Sequence, residues 1–292
     1  MLGNSSTELK NAVSTPTEEF PQSYKIVSPK FPPSLKFAGE GVPLENFEVF
    51  ERIEREILVN TYWHSATVLT LKRANRWFPL IESILRKNRI PEDFKYIAAI
   101  ESGLANVVSP AKATGFWQLL SEPAKKYGLE VNNEVDERYD VEMATEAACK
   151  YLHEAYNKFG NWTLAAASYN MGMTGVARQL ERQKTNNYYN LVLGEETSRY
   201  IARAVAMKVI MLNPKNYGYQ IEDENLYAPL KWNEVELSDQ KVNLADYAFS
   251  QGANYKILKY YNPWLRDDML INKSGKTYKI KLPVKGSINM IE

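Results

Sequence analysis

Cysteine is almost missing from this chain. A single thiol, Cys149, among 292 residues excludes an internal disulfide and any zinc site built from several thiolates. Histidine is nearly as scarce. His64 and His153 stand far apart with no partnering motif, so a histidine-rich metal centre and a serine–histidine–aspartate relay both lack their parts. Charge of one sign is missing too: the net charge of +1 carries no basic excess and argues against nucleic acid as a partner. No apolar run approaches the ~18 residues of a membrane-spanning helix, so no transmembrane segment is expected. The first residues, MLGNSSTELKNAVSTPTEEF, lack the hydrophobic segment of a secretory signal. That fits a cytoplasmic protein, and equally an exported one whose signal has been trimmed. No cofactor and no metal are expected.

What is present is an ordinary apolar fraction of 45% with a surplus of amphipathic aromatics, 19 Tyr and 6 Trp. Such rings suit cores and carbohydrate surfaces alike. The length allows one large domain or a medium one with a small companion. Cys149 lies in the apolar-periodic stretch ATEAACKYLHEAY, which points to a buried structural thiol.

The pattern divides the chain into three parts. Residues 1–43 hold six of the fourteen prolines and predict an extended or disordered arm that touches the domain through Tyr24, Ile26, Phe31 and Phe37. Residues 44–218 read as mainly helical. Helices are expected from Leu44 to Asn60, Ser65 to Asn88, Pro91 to Ser102, Gln118 to Tyr127, Val141 to Phe159, through NWTLAAASYNMG, and from Glu196 to Leu212. Glycines 103, 128 and 160 serve as stops. Residues 222–292 change texture. KWNEVEL and TYKIKLP read as strands around VNLADYAFSQG and NYKILKYYNPWL as short helices, a small β-α-α-β module. Strict alternation puts Tyr278, Ile280 and Leu282 on one strand face.

One stretch carries chemistry on its face. In FKYIAAIESG, positions Phe94, Ile97, Ala98 and Glu101 form a single helical stripe that begins as core and ends in a carboxylate. At a helix C-terminus the unpaired carbonyls disfavour negative charge, and Ile97, Ala98 and Ile100 would desolvate the group. Both effects raise a carboxyl pKa, as a general acid working near neutral pH requires. The competing reading is a glutamate that reaches water at the helix end.

Four elements in order tip this balance. They are the pair Glu101-Ser102, the segment Ser109-Pro110 to Gly115-Phe116-Trp117-Gln118, Ala167-Ser168-Tyr169-Asn170, and Glu196-Thr197 to Tyr200. Together they resemble the lytic transglycosylases with a soluble-lytic-transglycosylase (SLT), lysozyme-like domain, over about residues 65–218. The Gly-x-Trp-Gln form, DERYD (136–140) and FGNW (159–162) look like the membrane-bound D branch of that family. Two small departures, Phe116-Trp117 and Ser168, remove no polar group that the chemistry needs, and bear on the sugar subsite.

The resemblance implies a lysozyme-like helical catalytic domain that cleaves the MurNAc–GlcNAc bond of peptidoglycan without water. In that scheme Glu101 serves as acid and then as base, leaving a 1,6-anhydro end. It further implies that Ser102 supports Glu101 or meets the peptide stem, and that Gln118 and Asn170 bond substrate. Tyr169 would set its hydroxyl near Glu101, and Glu196 and Tyr200 would reach toward the sugar, with an exposed helix-start glutamate as the other reading of Glu196. Phe116 would line the cleft, and Trp117 would either line it or pack in the core. Trp162 and DERYD read as structural, and the Tyr188-Tyr189 pair as a cleft wall or surface aromatics. The C-terminal module resembles a degenerate LysM domain, with glycan binding or plain packing as its role. The implied setting is the periplasm or the periplasmic face of a bacterial outer membrane. There a monomer would act on glycan strands, with membership of an envelope complex left open. Two alternatives stand beside this reading: a goose-lysozyme-like muramidase that adds water, and a catalytically silent peptidoglycan-binding protein.

Overall fold

Asparagine and aspartate side chains start half of the α-helices among the described residues. Asn46, Asp140, Asn161, Asn243 and Asn254 each sit in extended backbone and accept hydrogen bonds from first-turn amides, each such cap contributing about 1 kcal/mol. The computed structural model describes residues 26–287. The expected contact of Tyr24 and the last residues of the C-terminal module lie outside that range.

The chain enters through a tight hairpin, β1 (Lys36–Phe37) and β2 (Glu40–Gly41). Eight helices follow: α1 (Phe47–Tyr62), α2 (His64–Lys87), α3 (Lys95–Ser102), α4 (Ser121–Lys126), α5 (Val141–Phe159), α6 (Trp162–Met171), α7 (Met173–Gln183) and α8 (Glu195–Leu212). The architecture is mainly helical. Helix α6 is the centre of the domain, with Leu164, Ala165, Ala166 and Ala167 all buried. Its small side chains let α5, α7 and α8 approach closely. Helix α8 also covers α1 and α3.

The arm packs on the domain through Phe37, as expected: its ring is wholly buried and stacks edge-on against Phe94. From the hairpin, Glu40 bonds the backbone amides of Trp162 and Thr163 and so caps α6 from outside. Ile26, by contrast, is exposed. Helix α4 begins at Ser121 rather than Gln118, because Thr114 and Leu119 pair as a short bridge. Helix α7 was not expected: its apolar stripe is narrow, with Val176 buried and Leu180 partly buried against the core.

The C-terminal module pairs β3 (Trp232–Leu237) antiparallel with β6 (Tyr278–Pro283) around α9 (Leu244–Ser250) and α10 (Tyr255–Tyr261). Tyr278, Ile280 and Leu282 share the buried face, as the alternation required. A second pair, β4 (Lys241–Asn243) with β5 (Met269–Ile271), adds to the expected order. Three-residue strands are too short to show alternation.

The module is firmly seated. Its core around Trp264, Leu265 and Leu270 includes Val135 from the helical domain. Asp136 N–H donates to Trp264 O at 2.8 Å and Arg266 N–H to Glu134 O at 2.7 Å. Ion pairs join the two parts: buried Lys281 meets Asp140 at 2.7 Å and Glu142, and exposed Lys276 meets buried Glu137 at 2.5 Å. DERYD is therefore the charge network it was read to be, and it also supplies the seam.

Candidate active site

Glu101 occupies the last turn of α3, and Gly103 closes the helix in left-handed backbone at φ 59°. That left-handed backbone is what favours glycine there, since a side chain would be strained in it. The stripe beneath Glu101 is wholly dry, with Phe94, Ile97 and Ala98 at 0% exposure. Glu101 itself is partly buried and faces a cleft of about 850 Å³ between the α1–α2 junction, α3 and the start of α8.

One oxygen of Glu101 is held. Tyr200, wholly buried on α8, donates its hydroxyl to Glu101 Oε1 at 2.5 Å. Among the described residues Oε2 has no hydrogen-bond partner. Burial raises the Glu101 pKa above the ordinary glutamate value. The Tyr200 bond and the Arg203 guanidinium act in the opposite direction, and Glu196 adds to the rise. Arg203 is fixed by donating to Ile100 O at 2.8 Å, so its charge stands beside the carboxyl without a direct ion pair. A carboxyl in this state can deliver a proton and can take one back.

The hydroxyl on Glu101 thus belongs to Tyr200, not to Tyr169 as expected, and Tyr200 backs the carboxyl rather than reaching for a sugar. Tyr169 donates to Trp117 O at 2.8 Å. It lies close enough that burial and then the Glu101 charge lift its pKa well above the usual tyrosine range. Both tyrosines stay neutral donors.

Several other expected ligands turn inward. Ser102 Oγ bonds Ala98 O and Phe116 O and accepts from Leu104 N–H, which ties the following loop to the end of α3. Trp117 is 0% exposed and donates its indole N–H to Thr145 Oγ1 at 2.8 Å. It is core, not cleft. Gln118 Nε2 donates to Val107 O and Gly115 O, so its amide shapes its own loop. That loop is clamped by Arg138, which donates to Lys112 O and Leu119 O while paired with Asp136. Gly115 is forced: a Cβ there would stand 2.1 Å from Arg138 O. Phe116 lines a second cavity at the module seam rather than this cleft. Tyr188 is buried, with its hydroxyl on Thr197 O and Ser198 O, and forms no cleft wall.

Asn170 and Glu196 do come together at the cleft. Asn170 donates to Glu196 Oε1 at 2.9 Å and accepts from Thr197 Oγ1 at 2.6 Å. Glu196 is exposed and lines the same cleft as Glu101.

Sequence reasoning missed three wall residues. Trp63, between α1 and α2, is 62% exposed and lines the cleft. Glu56 is buried there but neutralised by Arg55 and Arg199 at 2.7 Å each. Arg73 donates to Gly103 O at 3.1 Å from the opposite wall. A tryptophan at a helix junction with so few apolar neighbours was the one available signal.

Comparison with known proteins identifies two domains in the chain. The chain carries a transglycosylase SLT domain, matched over residues 79–192, and a soluble lytic transglycosylase C-terminal LysM-like domain, matched over residues 233–286. It is homologous to the membrane-bound lytic murein transglycosylase D of Escherichia coli (strain K12), with 28% identity over 84% of this chain and 53% of that protein. It is also 27% identical to a putative tributyltin chloride resistance protein of Alteromonas sp. (strain M-1), over 53% of this chain and 77% of that protein. The chain spans about half the length of its Escherichia coli relative.

Proposed function

We propose that this chain, an SLT domain joined to a LysM-like domain, is a peptidoglycan lytic transglycosylase that cleaves the MurNAc–GlcNAc bond. The observation that carries the proposal is Glu101: a partly buried carboxyl with raised pKa, one oxygen pinned by Tyr200 and the other open to the cleft. Glu101 donates its proton to the bridging oxygen as the bond to muramoyl C1 breaks. The N-acetyl group of the muramoyl residue stabilises the positive charge that develops. The Glu101 carboxylate then takes the proton of the C6 hydroxyl, whose oxygen bonds C1 and closes a 1,6-anhydro ring. No water is consumed and one carboxyl serves twice, unlike the two-carboxylate glycosidases.

Trp63 offers a ring face on which a sugar can stack. Asn170 and Glu196, at the other side, supply polar contacts to acetamido or hydroxyl groups. The reading places the protein in the periplasm, on glycan strands. Among the described residues no helix is long and apolar enough to cross a membrane.

Glu196 favours one second reading. It is a second carboxylate in the same cleft, and if it activated water the enzyme would be a muramidase. Mass spectrometry of peptidoglycan digested by wild type and Glu101→Gln separates the two. Ends lighter by one water than the hydrolysed ends, lost in the variant, support the transglycosylase. Reducing ends that depend on Glu101 overturn it in favour of hydrolysis, and binding without soluble product leaves only a glycan-binding protein.

A further inference from the structure

A second cavity of about 430 Å³ lies at the seam between the helical domain and the LysM-like module. Its walls are aromatic. Trp77 and Phe116 meet edge to face at 5.3 Å on one side, and Tyr227, Trp232 and Tyr260 close the other. Beside Lys281, which is paired with Asp140 and Glu142, three further cations stand among these rings: Arg73, Arg76 and Lys259.

All three are held by neutral acceptors. Arg73 donates to Gly103 O, Arg76 to Ala228 O and Tyr260 Oη, and Lys259 to Asp267 O. None of the three forms an ion pair among the described residues. Arg76 lies over the Tyr227 ring at 5.2 Å. The carboxylate that also lines the cavity, Asp140, is already spent on Lys281 and on the first amides of α5. The seam therefore presents three cations without a direct ion pair in an aromatic enclosure. That combination selects an anionic ligand with an apolar body.

The cavity adjoins the cleft. Arg73 lines both, and so does one strand of chain: Glu101 to Gly103 face the cleft, while Leu104 to Asn106 face the seam. A substrate seated at Glu101 can send a branch past Arg73. The glycan backbone of peptidoglycan is uncharged apart from its substituents and has no use for three cations. The peptide carried on the lactyl group of the muramoyl residue is rich in carboxylates.

We propose that the seam cavity binds this stem peptide, with Arg76 and Lys259 as its carboxylate anchors, and so makes the enzyme prefer peptide-bearing strands. The proposal rests on the glycan-cleaving reading for its choice of ligand. Neither anchor belongs to the cleft around Glu101.

Two measurements on the full chain test it. The first is kcat/KM on stem-bearing strands and on the same strands stripped by an amidase, for wild type, Arg76→Gln and Lys259→Gln. Wild type is expected to favour stem-bearing strands by about tenfold, the scale of one charge-assisted contact. Each variant should lose that preference with its rate on stripped strands unchanged. Equal wild-type rates on both substrates, or equal losses on both, overturn the proposal.

The second measurement is titration of the free tetrapeptide L-Ala-γ-D-Glu-meso-diaminopimelyl-D-Ala, followed by tryptophan fluorescence. Saturable binding by wild type that weakens in both variants supports the pocket even if neither strand is cut, in which case only the catalytic reading fails. Absence of binding overturns the pocket even if cleavage proceeds.

Discussion

At the seam, Asp140 and Glu137 are 2% and 3% exposed, and each meets a lysine from the C-terminal module. In the cleft, Glu101 is also withdrawn from water, yet its direct partner is the neutral hydroxyl of Tyr200. In the first arrangement a neighbouring cation offsets the desolvation cost of each carboxylate. The second leaves the proton in contention, which stability alone would not favour. Glu56 makes the same contrast inside the cleft, where two arginines neutralise it. What separates a structural acid from a reactive one here is the charge of its partner, not the depth of its burial.

The largest expected break in this comparison is Glu101→Gln. Removing a general acid lowers rates by ~10²–10⁴, so kcat for release of soluble muropeptides should fall on that scale while circular dichroism stays native. Next comes the other side of the contrast. Lys281→Met strands Asp140 without its cation, and breaking a buried pair costs about 3–5 kcal/mol. Denaturant unfolding should show that loss, with much of it recovered in the double variant Lys281→Met with Asp140→Asn. Full activity loss without a stability change would mean that the seam serves catalysis rather than anchoring.

Much of this contrast could be read from sequence, and the unread part has a physical reason. The stripe from Phe94 to Glu101 and the stop at Gly103 are local, so helical geometry revealed them. Tyr200 and Tyr169 present the same chemistry at similar helical settings, and only the packing of α8 on α3 decides which hydroxyl meets Glu101. Trp117, Gln118 and Ser102 look like ligands because they are polar or aromatic within a motif. Their hydrogen bonds go instead to the loop that positions the helix end. The seam was illegible: alternation identified β6, but nothing in YKIKLP says that Lys281 will be buried against residue 140.

A subtler pair of variants sharpens the cleft side. The Tyr200 hydrogen bond lowers the Glu101 pKa, and the Glu196 charge raises it. In Tyr200→Phe the pKa should climb further, moving the basic limb of the kcat/KM profile to higher pH. In Glu196→Gln the same limb should move to lower pH, because the carboxyl loses a repelling neighbour and ionises sooner. Shifts of one sign in both variants would show that another group sets the limb.

The smallest expected effect is the one that sets the two regions most directly against each other. Because burial holds the folded-state pKa of Glu101 above its unfolded value, ionising it works against folding. The stability it permits is complete in acid, below the ordinary glutamate value of 4.5, and is lost as pH rises through its folded pKa. Glu101→Gln should therefore melt a few degrees above wild type at neutral pH, and the two should converge in acid. Tyr200 can still donate to the amide oxygen, so the variant keeps its buried hydrogen bond. Removing charge at Lys281 destabilises while removing it at Glu101 stabilises, and the opposite signs follow from burial with and without a charged partner. If Glu101→Gln melted below wild type at neutral pH, the carboxylate would be as well satisfied as Asp140, and its claim to a mobile proton would fail.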